Sequence, residues 1–105
     1  MDKENFYLFH ADVCKTISNP RRQAILDALR DKELTVNEIV EKTGILQANL
    51  SQHLAILRNK GVLLSRKQGN HVFYSISTPK IMKAYDLISE AIKEILQEQR
   101  KIMDK

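Results

Sequence analysis

The stretch from Leu34 to Gly61 constrains this chain most, because it reads as two short helices joined by a tight turn. Thr35 is placed to N-cap the first helix, with Glu38 three residues later to complete a capping box. Ile39 supplies the buried face of that helix, and Gly44 supplies the left-handed residue that ends it. The spacing predicts a second helix that starts within three residues of the glycine.

The second predicted helix covers Gln47–Asn59 and has two contrasting faces. Leu50, Leu54 and Leu57 recur at helical spacing and should point inward. The opposite face carries short, uncharged hydrogen-bonding groups where a merely solvated helix usually carries Lys and Glu: Gln47, Asn49, Ser51, Gln52 and His53. Such groups can read base edges in the DNA major groove, whereas His53 fits either DNA contact or packing. We therefore predict a helix-turn-helix with 47–59 as its recognition helix.

The charge distribution supports this interpretation more than the net charge of +4 does. All thirteen acidic residues lie outside the interval between Glu41 and Asp86. Seven basic residues lie inside it: Lys42, Arg58, Lys60, Arg66, Lys67, Lys80 and Lys83. A basic, acid-free segment around a helix-turn-helix is typical of nucleic-acid binding, although segregation by chance is the alternative.

Two further helices are predicted before this motif. The first, over 5–17, carries an apolar stripe of Phe6, Phe9, Val13 and Ile17 that needs a partner surface. Asn19-Pro20 is a cap followed by a first-turn proline, and it predicts a second helix that runs to about Asp31. Arg22 lies in the first turn of this helix, where a positive charge interacts unfavourably with the helix dipole. A DNA phosphate or an acid from elsewhere in the fold would relieve that conflict.

A β-hairpin is predicted over 62–77, directly after the recognition helix. Alternation places Val62 and Leu64 on one face of the first strand. Val72, Tyr74 and Ile76 lie on one face of the second strand, and the two-residue turn Gly69-Asn70 joins the strands. Its tip carries polar and basic residues, namely Arg66, Lys67, Gln68, Asn70 and His71. A hairpin in this place is a wing whose tip contacts phosphate or the minor groove; a solvated turn is the alternative.

The last predicted helix, over 79–102, carries a long apolar seam. Ile81, Tyr85, Ile88, Ile92, Ile95, Gln99 and Ile102 alternate at spacings of four and three. This seam extends past what one small core can cover, although packing within the same domain is the alternative. We predict a twofold dimer through the first and last helices, which presents two recognition helices to a palindromic operator in double-stranded DNA.

Other features bound the remaining possibilities. The sequence has no apolar run that could span a membrane and no signal-peptide pattern, so we expect a cytoplasmic protein with no membrane partner. Scattered glycines and the lack of a nucleophile–base or paired-carboxylate arrangement predict that it is not an enzyme.

His10 and Cys14, at i and i+4, could be two soft metal ligands. Alternatively, Cys14 is a small buried hydrophobe and His10 an interfacial polar residue.

The chain resembles the ArsR/SmtB family of transcriptional repressors over nearly its whole length. The resemblance lies in ISNPRRQAILDAL, LTVNEIVEKTGI and LSQHLAILRNKGVLLSRKQGNHVFYSI. It implies one mainly α domain over 1–105, a homodimeric winged helix-turn-helix with core 20–77, that leaves its operator when an inducer binds. On the matching positions Gln47, Ala48, Ser51 and Gln52 would face bases, Val36 would approach the backbone or a thymine methyl, and Arg66 and Lys67 would contact phosphate or the minor groove.

The chain also departs from that family's sensor motifs. The family's arsenic sensors carry Cys-x-Cys where this chain has Leu34 to Glu38, and its zinc and nickel sensors carry histidines on the last helix, where this chain has none. The resemblance therefore assigns no metal cofactor and no inducer. Two alternatives remain open, a constitutive DNA-binding protein and a winged-helix module for protein interactions, neither of which senses a ligand.

Overall fold

The structure is a computed structural model that describes residues 1–104. In chain order it contains α1 (Lys3–Ile17), α2 (Pro20–Ala28), β1 (Leu34–Thr35), α3 (Val36–Thr43), α4 (Gln47–Asn59), β2 (Leu63–Gln68), β3 (His71–Ile76) and α5 (Lys80–Met103). The spans predicted for the helix-turn-helix agree with α3 and α4. No helix in residues 1–104 is long and apolar enough to cross a membrane.

Local capping chemistry sets where most of the helices begin. Asp2 caps α1 by accepting from the Asn5 N–H at 2.8 Å, so that helix starts two residues before the prediction. Asn19 caps α2 by accepting from the N–H groups of Arg21 and Arg22. α2 ends at Ala28, earlier than predicted, and Asp31 in the following turn has a left-handed φ of 58°.

The small sheet is antiparallel and has three strands in the order β1-β3-β2. The sequence predicts the β2–β3 hairpin but not β1, in which Leu34 pairs with Tyr74 and Thr35 with Phe73. Because Thr35 is also the N-cap of α3, the hairpin is attached by backbone pairing to the start of the helix-turn-helix. We refer to the β2–β3 hairpin as the wing.

One expectation for the wing is wrong by one residue. Leu64 does not face the core with Val62: it is 56% exposed, and Leu63 is buried in its place. Val62 precedes β2, and its N–H bonds to the Leu57 carbonyl at the end of α4. Two consecutive residues are buried because the first lies in the turn and only the second lies in the pleated strand.

The core lies between α2, α3, α4 and the inner side of the sheet. Its fully buried side chains are Ile25, Leu26, Leu29, Ile39, Leu50, Leu54, Leu57, Val62 and Leu63. Leu50, Leu54 and Leu57 therefore form the buried stripe of α4 that their spacing predicts. The arrangement holds the opposite side of α4 at the protein surface.

α1 and α5 pack against this core through only part of their length. Thr16 is the buried residue of α1, and Met82 is that of α5. The apolar residues farther along both helices remain exposed; Phe6 is 51%, Phe9 53%, Ile88 60% and Ile95 55% exposed. We call six of the exposed apolar residues of these two helices, which fall on the stripes that their spacing predicts, the α1–α5 face: Phe6, Phe9, Ile88, Ile92, Ile95 and Ile102.

A paired arginine connects α2 to α5 beside the core. The Arg30 guanidinium donates to both carboxylate oxygens of Asp86, at 2.8 and 3.0 Å, and also to Asp27. This pairing holds the pKa of the Asp86 carboxyl below its usual range. The contact joins the turn after α2 to α5.

Candidate nucleic-acid interface

The surface of α4 is polar and uncharged in its first half. Its exposed residues there are Gln47, Ala48, Asn49, Ser51 and Gln52. No acidic residue occurs anywhere in the helix, and its basic residue, Arg58, lies in the last turn. This half of the helix can approach DNA without repulsion and can offer amide and hydroxyl groups to base edges.

A capping box starts α3, and a left-handed glycine ends it before α4. The Thr35 N–H donates to Glu38 Oε1 at 2.9 Å, and the Glu38 N–H donates to Thr35 Oγ1 at 3.3 Å. The Thr35 N–H and the Thr35 hydroxyl, which donates to Glu38 Oε1 at 3.0 Å, together lower the pKa of the Glu38 carboxyl. Gly44 then adopts a φ of 74°, the left-handed conformation that turns the chain into α4.

Val36, predicted to approach DNA, lies half-buried in the first turn of α3, against the core.

His53 lies at the edge of the exposed face and is half-buried. The Arg22 Nε donates to His53 Nδ1 at 3.2 Å, and the Arg22 Nη1 donates to the Thr16 carbonyl at 3.2 Å. Of the two alternatives for Arg22, pairing with an acid does not occur within residues 1–104, where no ion pair to Arg22 is formed. The arginine instead links α1 and α2 to the recognition helix, because its long side chain crosses the gap between them.

The environment of His53 predicts a pH dependence of folding stability. Burial, followed by the positive charges of Arg22 and Arg21, lowers the pKa of His53 below its ordinary value of 6.5. The unfolded chain therefore binds a proton more readily than the folded one just below pH 6.5, so the free energy of unfolding should fall as the pH drops through that range. Urea unfolding at pH 7.5, 6.5 and 5.5 measures this.

The matched variant for this prediction is His53→Gln, which does not titrate. Its loss of stability between pH 7.5 and 5.5 should be smaller than that of the unmutated protein. The carboxyls of Glu33, Glu38 and Asp86, whose pKa values are lowered, contribute their own losses only in more acidic solution. Equal losses in both proteins would show that His53 is not the group responsible.

Arg66 is engaged on the wing itself. Its Nε and Nη2 donate to the two carboxylate oxygens of Glu33 at 2.7 and 2.8 Å, and its Nη1 donates to Gln68 at 2.6 Å. The guanidinium carbon lies 4.7 Å from the centre of the Phe73 ring, and the pairing lowers the pKa of Glu33. To contact a phosphate, the Arg66 guanidinium would have to release its hydrogen bonds to Glu33 or divide its N–H groups between that carboxylate and the phosphate. The sequence does not reveal this partner, because 33 and 66 meet only through the β1–β3 pairing.

The wing tip beyond Arg66 is exposed and polar. It comprises Lys67, Gln68, Asn70 and His71, around a Gly69 with a φ of 61°. In residues 1–104, Lys67 takes part in no ion pair. Lys67 and Asn70 are therefore the predicted wing residues whose polar groups have the fewest competing contacts.

His10 and Cys14 lie together on α1, as their spacing predicts. His10 Nδ1 is 3.6 Å from Cys14 Sγ, and both residues are exposed in this chain. Cys14 is thus not a buried hydrophobe within one copy of the chain. No third His, Cys, Asp or Glu joins the pair to form a cluster of three within residues 1–104.

Leu46 is an exposed residue that the polar pattern of the recognition helix does not include. It is the N-cap of α4, it makes no capping bond through its side chain, and it is 72% exposed. The signal in the sequence is an apolar residue at the N-cap position, which Asp, Asn or Thr occupies in the three preceding helices.

The order of helices, the turn at Gly44 and the wing after α4 together define a winged helix-turn-helix. A family model described as bacterial regulatory protein, arsR family, matches residues 19–65, from the cap of α2 into β2. The chain belongs to this ArsR family of transcriptional regulators, as the sequence resemblance indicates.

Individual relatives agree with that assignment. The HTH-type transcriptional regulator Rv0081 of Mycobacterium tuberculosis is 30% identical over 105 residues, which cover 99% of this chain and 92% of the relative. Its crystal structure has a TM-score of 0.81, covering 90% of this chain and 95% of the other. The transcriptional repressor SdpR of Bacillus subtilis is 36% identical over 67 residues, or 64% of this chain and 74% of the relative. Other relatives are named as repressors and also as an activator.

A solved structure from Mycobacterium bovis is described as a homodimeric winged helix-turn-helix DNA-binding domain. It is 28% identical to this chain with a TM-score of 0.80, and the match covers 93% of this chain and 92% of the other.

Proposed function

We propose that this protein is a homodimeric transcriptional repressor that acts in the cytoplasm and binds a palindromic operator in double-stranded DNA. The observation that carries the proposal is the exposed, acid-free polar face of α4, beside a wing with an exposed basic tip. Family membership supports DNA binding, and the name of the related repressor SdpR supports the direction of regulation.

In this proposal the first half of α4 reads bases in the major groove. Gln47, Ser51 and Gln52 offer side-chain hydrogen bonds, and a glutamine amide can bond to both polar atoms on the major-groove edge of adenine. Ala48 and Asn49 complete the exposed surface, with His53 at its edge and Val36 toward the backbone. Lys67 and Asn70 contact phosphate or the minor groove, and Arg66 either joins them or holds the wing in place.

The proposed dimer forms through the α1–α5 face. That face exposes two phenylalanines and four isoleucines, which a second copy of the chain would remove from water. The Mycobacterium bovis domain, which is described as homodimeric, supports this arrangement. Twofold symmetry then places two recognition helices on two half-sites of opposite orientation.

Repression follows in this proposal from occupancy, because a dimer seated on an operator excludes other proteins from that DNA. An inducer that releases the dimer completes the cycle, and its chemistry is not assigned. Transcription in vitro from a promoter that contains the selected operator tests the direction of regulation. A fall in transcript is expected, whereas a rise would make the protein an activator.

Gln52→Ala tests direct readout. Its two amide hydrogen bonds should be lost, which weakens binding to an operator selected from random DNA by roughly 1–3 kcal/mol per half-site, or about fivefold to 150-fold. Binding to unselected DNA should change little. Fluorescence anisotropy with both DNAs, at one salt concentration, measures the two effects.

The control for this experiment is Gln97→Ala, which removes an exposed glutamine from α5 and should leave both affinities unchanged. If Gln52→Ala lowers both affinities by the same factor, Gln52 positions the protein and does not specify a base. If no operator can be selected at all, sequence-specific binding is not a property of this protein.

A further inference from the structure

The most exposed apolar side chain of the helix-turn-helix and the wing is Leu46. The other large hydrophobic residues exposed in these elements are Ile56, Leu64 and Val72, which are 36%, 56% and 37% exposed, against 72% for Leu46. Most of the remaining exposed hydrophobics belong to α1 and α5. Leu46 is thus an isolated apolar group, and the α1–α5 face does not account for it.

Leu46 also occupies a position where another residue type would stabilise the fold. Its carbonyl accepts the first hydrogen bond of α4, from the Leu50 N–H at 2.9 Å, but its side chain caps nothing. Ser, Thr, Asp or Asn at such a position stabilises a helix, because its side chain accepts a hydrogen bond from a free backbone N–H. An exposed leucine therefore gives up a capping bond and gains no burial within the chain, which is the pattern expected where a side chain serves binding.

The neighbours of Leu46 indicate what covers it. It directly precedes Gln47, Ala48 and Asn49, which are all exposed on the face that we propose to enter the major groove. The apolar group that B-DNA presents in the major groove is the 5-methyl of thymine. The acid-free α4 and the basic wing whose first strand it contacts favour DNA as the partner over an acidic protein surface.

We propose that Leu46 packs against the methyl group of one thymine in each operator half-site and selects thymine there. This inference rests on the proposed function and adds a base preference that the polar residues of α4 do not supply. It makes Leu46 a specificity residue that acts by apolar contact.

The test removes the methyl group from the DNA and the leucine from the protein, separately and together. An operator is first selected from random DNA with the full chain. Each thymine is then replaced by deoxyuridine, which lacks only the 5-methyl group. For the unmutated protein, one replacement in one half-site should weaken binding about fourfold, and the same replacement in both half-sites about fifteenfold, which is the effect of losing the burial of one methyl group at each. Leu46→Ala should bind the thymine operator more weakly and should not respond to that replacement.

Leu46→Ser keeps the test independent of folding. A serine hydroxyl can supply the missing cap, so this variant should melt at a higher temperature than the unmutated protein while also losing the response to deoxyuridine. Leu64→Ala, which removes another exposed leucine, should retain the response at the same thymine.

Three outcomes overturn the inference. The Leu46 variants could respond to every deoxyuridine as the unmutated protein does, which would exclude the methyl contact while leaving operator binding intact. Leu46→Ser could melt at a lower temperature, which would show that the leucine serves the fold. If no operator is selected, the proposed function fails, and the inference fails with it.

Discussion

Ile88→Glu is expected to convert the protein from a dimer to a monomer. Ile88 belongs to the α1–α5 face and is 60% exposed in the single chain, so glutamate there is compatible with the folded protomer. In the proposed dimer, however, each glutamate would be an uncompensated buried charge that costs about 3–5 kcal/mol, so the dissociation constant should rise by more than about a hundredfold. Sedimentation equilibrium measures the change.

The matched control is Gln97→Glu, which adds the same charge to the same helix. Nine residues after Ile88, Gln97 lies on the opposite side of α5, because each helical residue turns by about 100°. This variant should remain a dimer. Operator binding should fall with dimerisation in Ile88→Glu, since a monomer meets one half-site at a time. An unmutated protein that sediments as a monomer would refute the proposed dimer.

Raising the salt concentration from 50 to 200 mM is expected to weaken operator binding by about 10³-fold to 10⁵-fold. Two recognition helices and two wings suggest about 6–10 phosphate contacts, each of which releases a counterion when it forms. A plot of log affinity against log salt concentration gives the number of contacts. A slope shallower than about 2 would mean that the wings do not touch the backbone.

Lys67→Ala assigns part of that slope to the wing. The slope should become less steep by about 2 per dimer, one contact for each wing, with the same effect on every DNA sequence. Lys93→Ala, on the exposed part of α5, removes an equal charge and should leave the slope unchanged. A change in base preference without a change in slope would show that Lys67 contacts the bases and not the phosphate backbone.

The sequence predicts the helix-turn-helix well because its signals are local. A capping box, a glycine and a leucine stripe each act within one or two helical turns, and α3 and α4 have the predicted spans. The exposure of Phe6 and Ile88 also follows from periodicity, because each stripe is longer than the core that it meets.

The features that the sequence does not reveal depend on contacts between distant residues. β1 is two residues long, too short to be seen in a pattern, and exists through its pairing with β3. The run Val62-Leu63-Leu64 offers two possible inward registers, and only the turn after α4 decides between them. The partners of Arg22 and Arg66 depend on which helices and strands come within reach of a long side chain. Leu46 is missed because its significance lies in exposure, which sequence alone does not give.

The β1–β3 pairing also determines the order in which this chain can assemble during synthesis. α2, α3 and α4 leave the ribosome before β3, yet Leu34 finds its strand partner only when Tyr74 has been made. Until then the edge of β1 and the inner side of the helices lack their sheet, so a nascent chain that stops after Asn59 holds a recognition helix on an unfinished core. The DNA-binding unit can therefore be complete only after the chain has emerged through Ile76, and the α1–α5 face, which needs α5, forms later still.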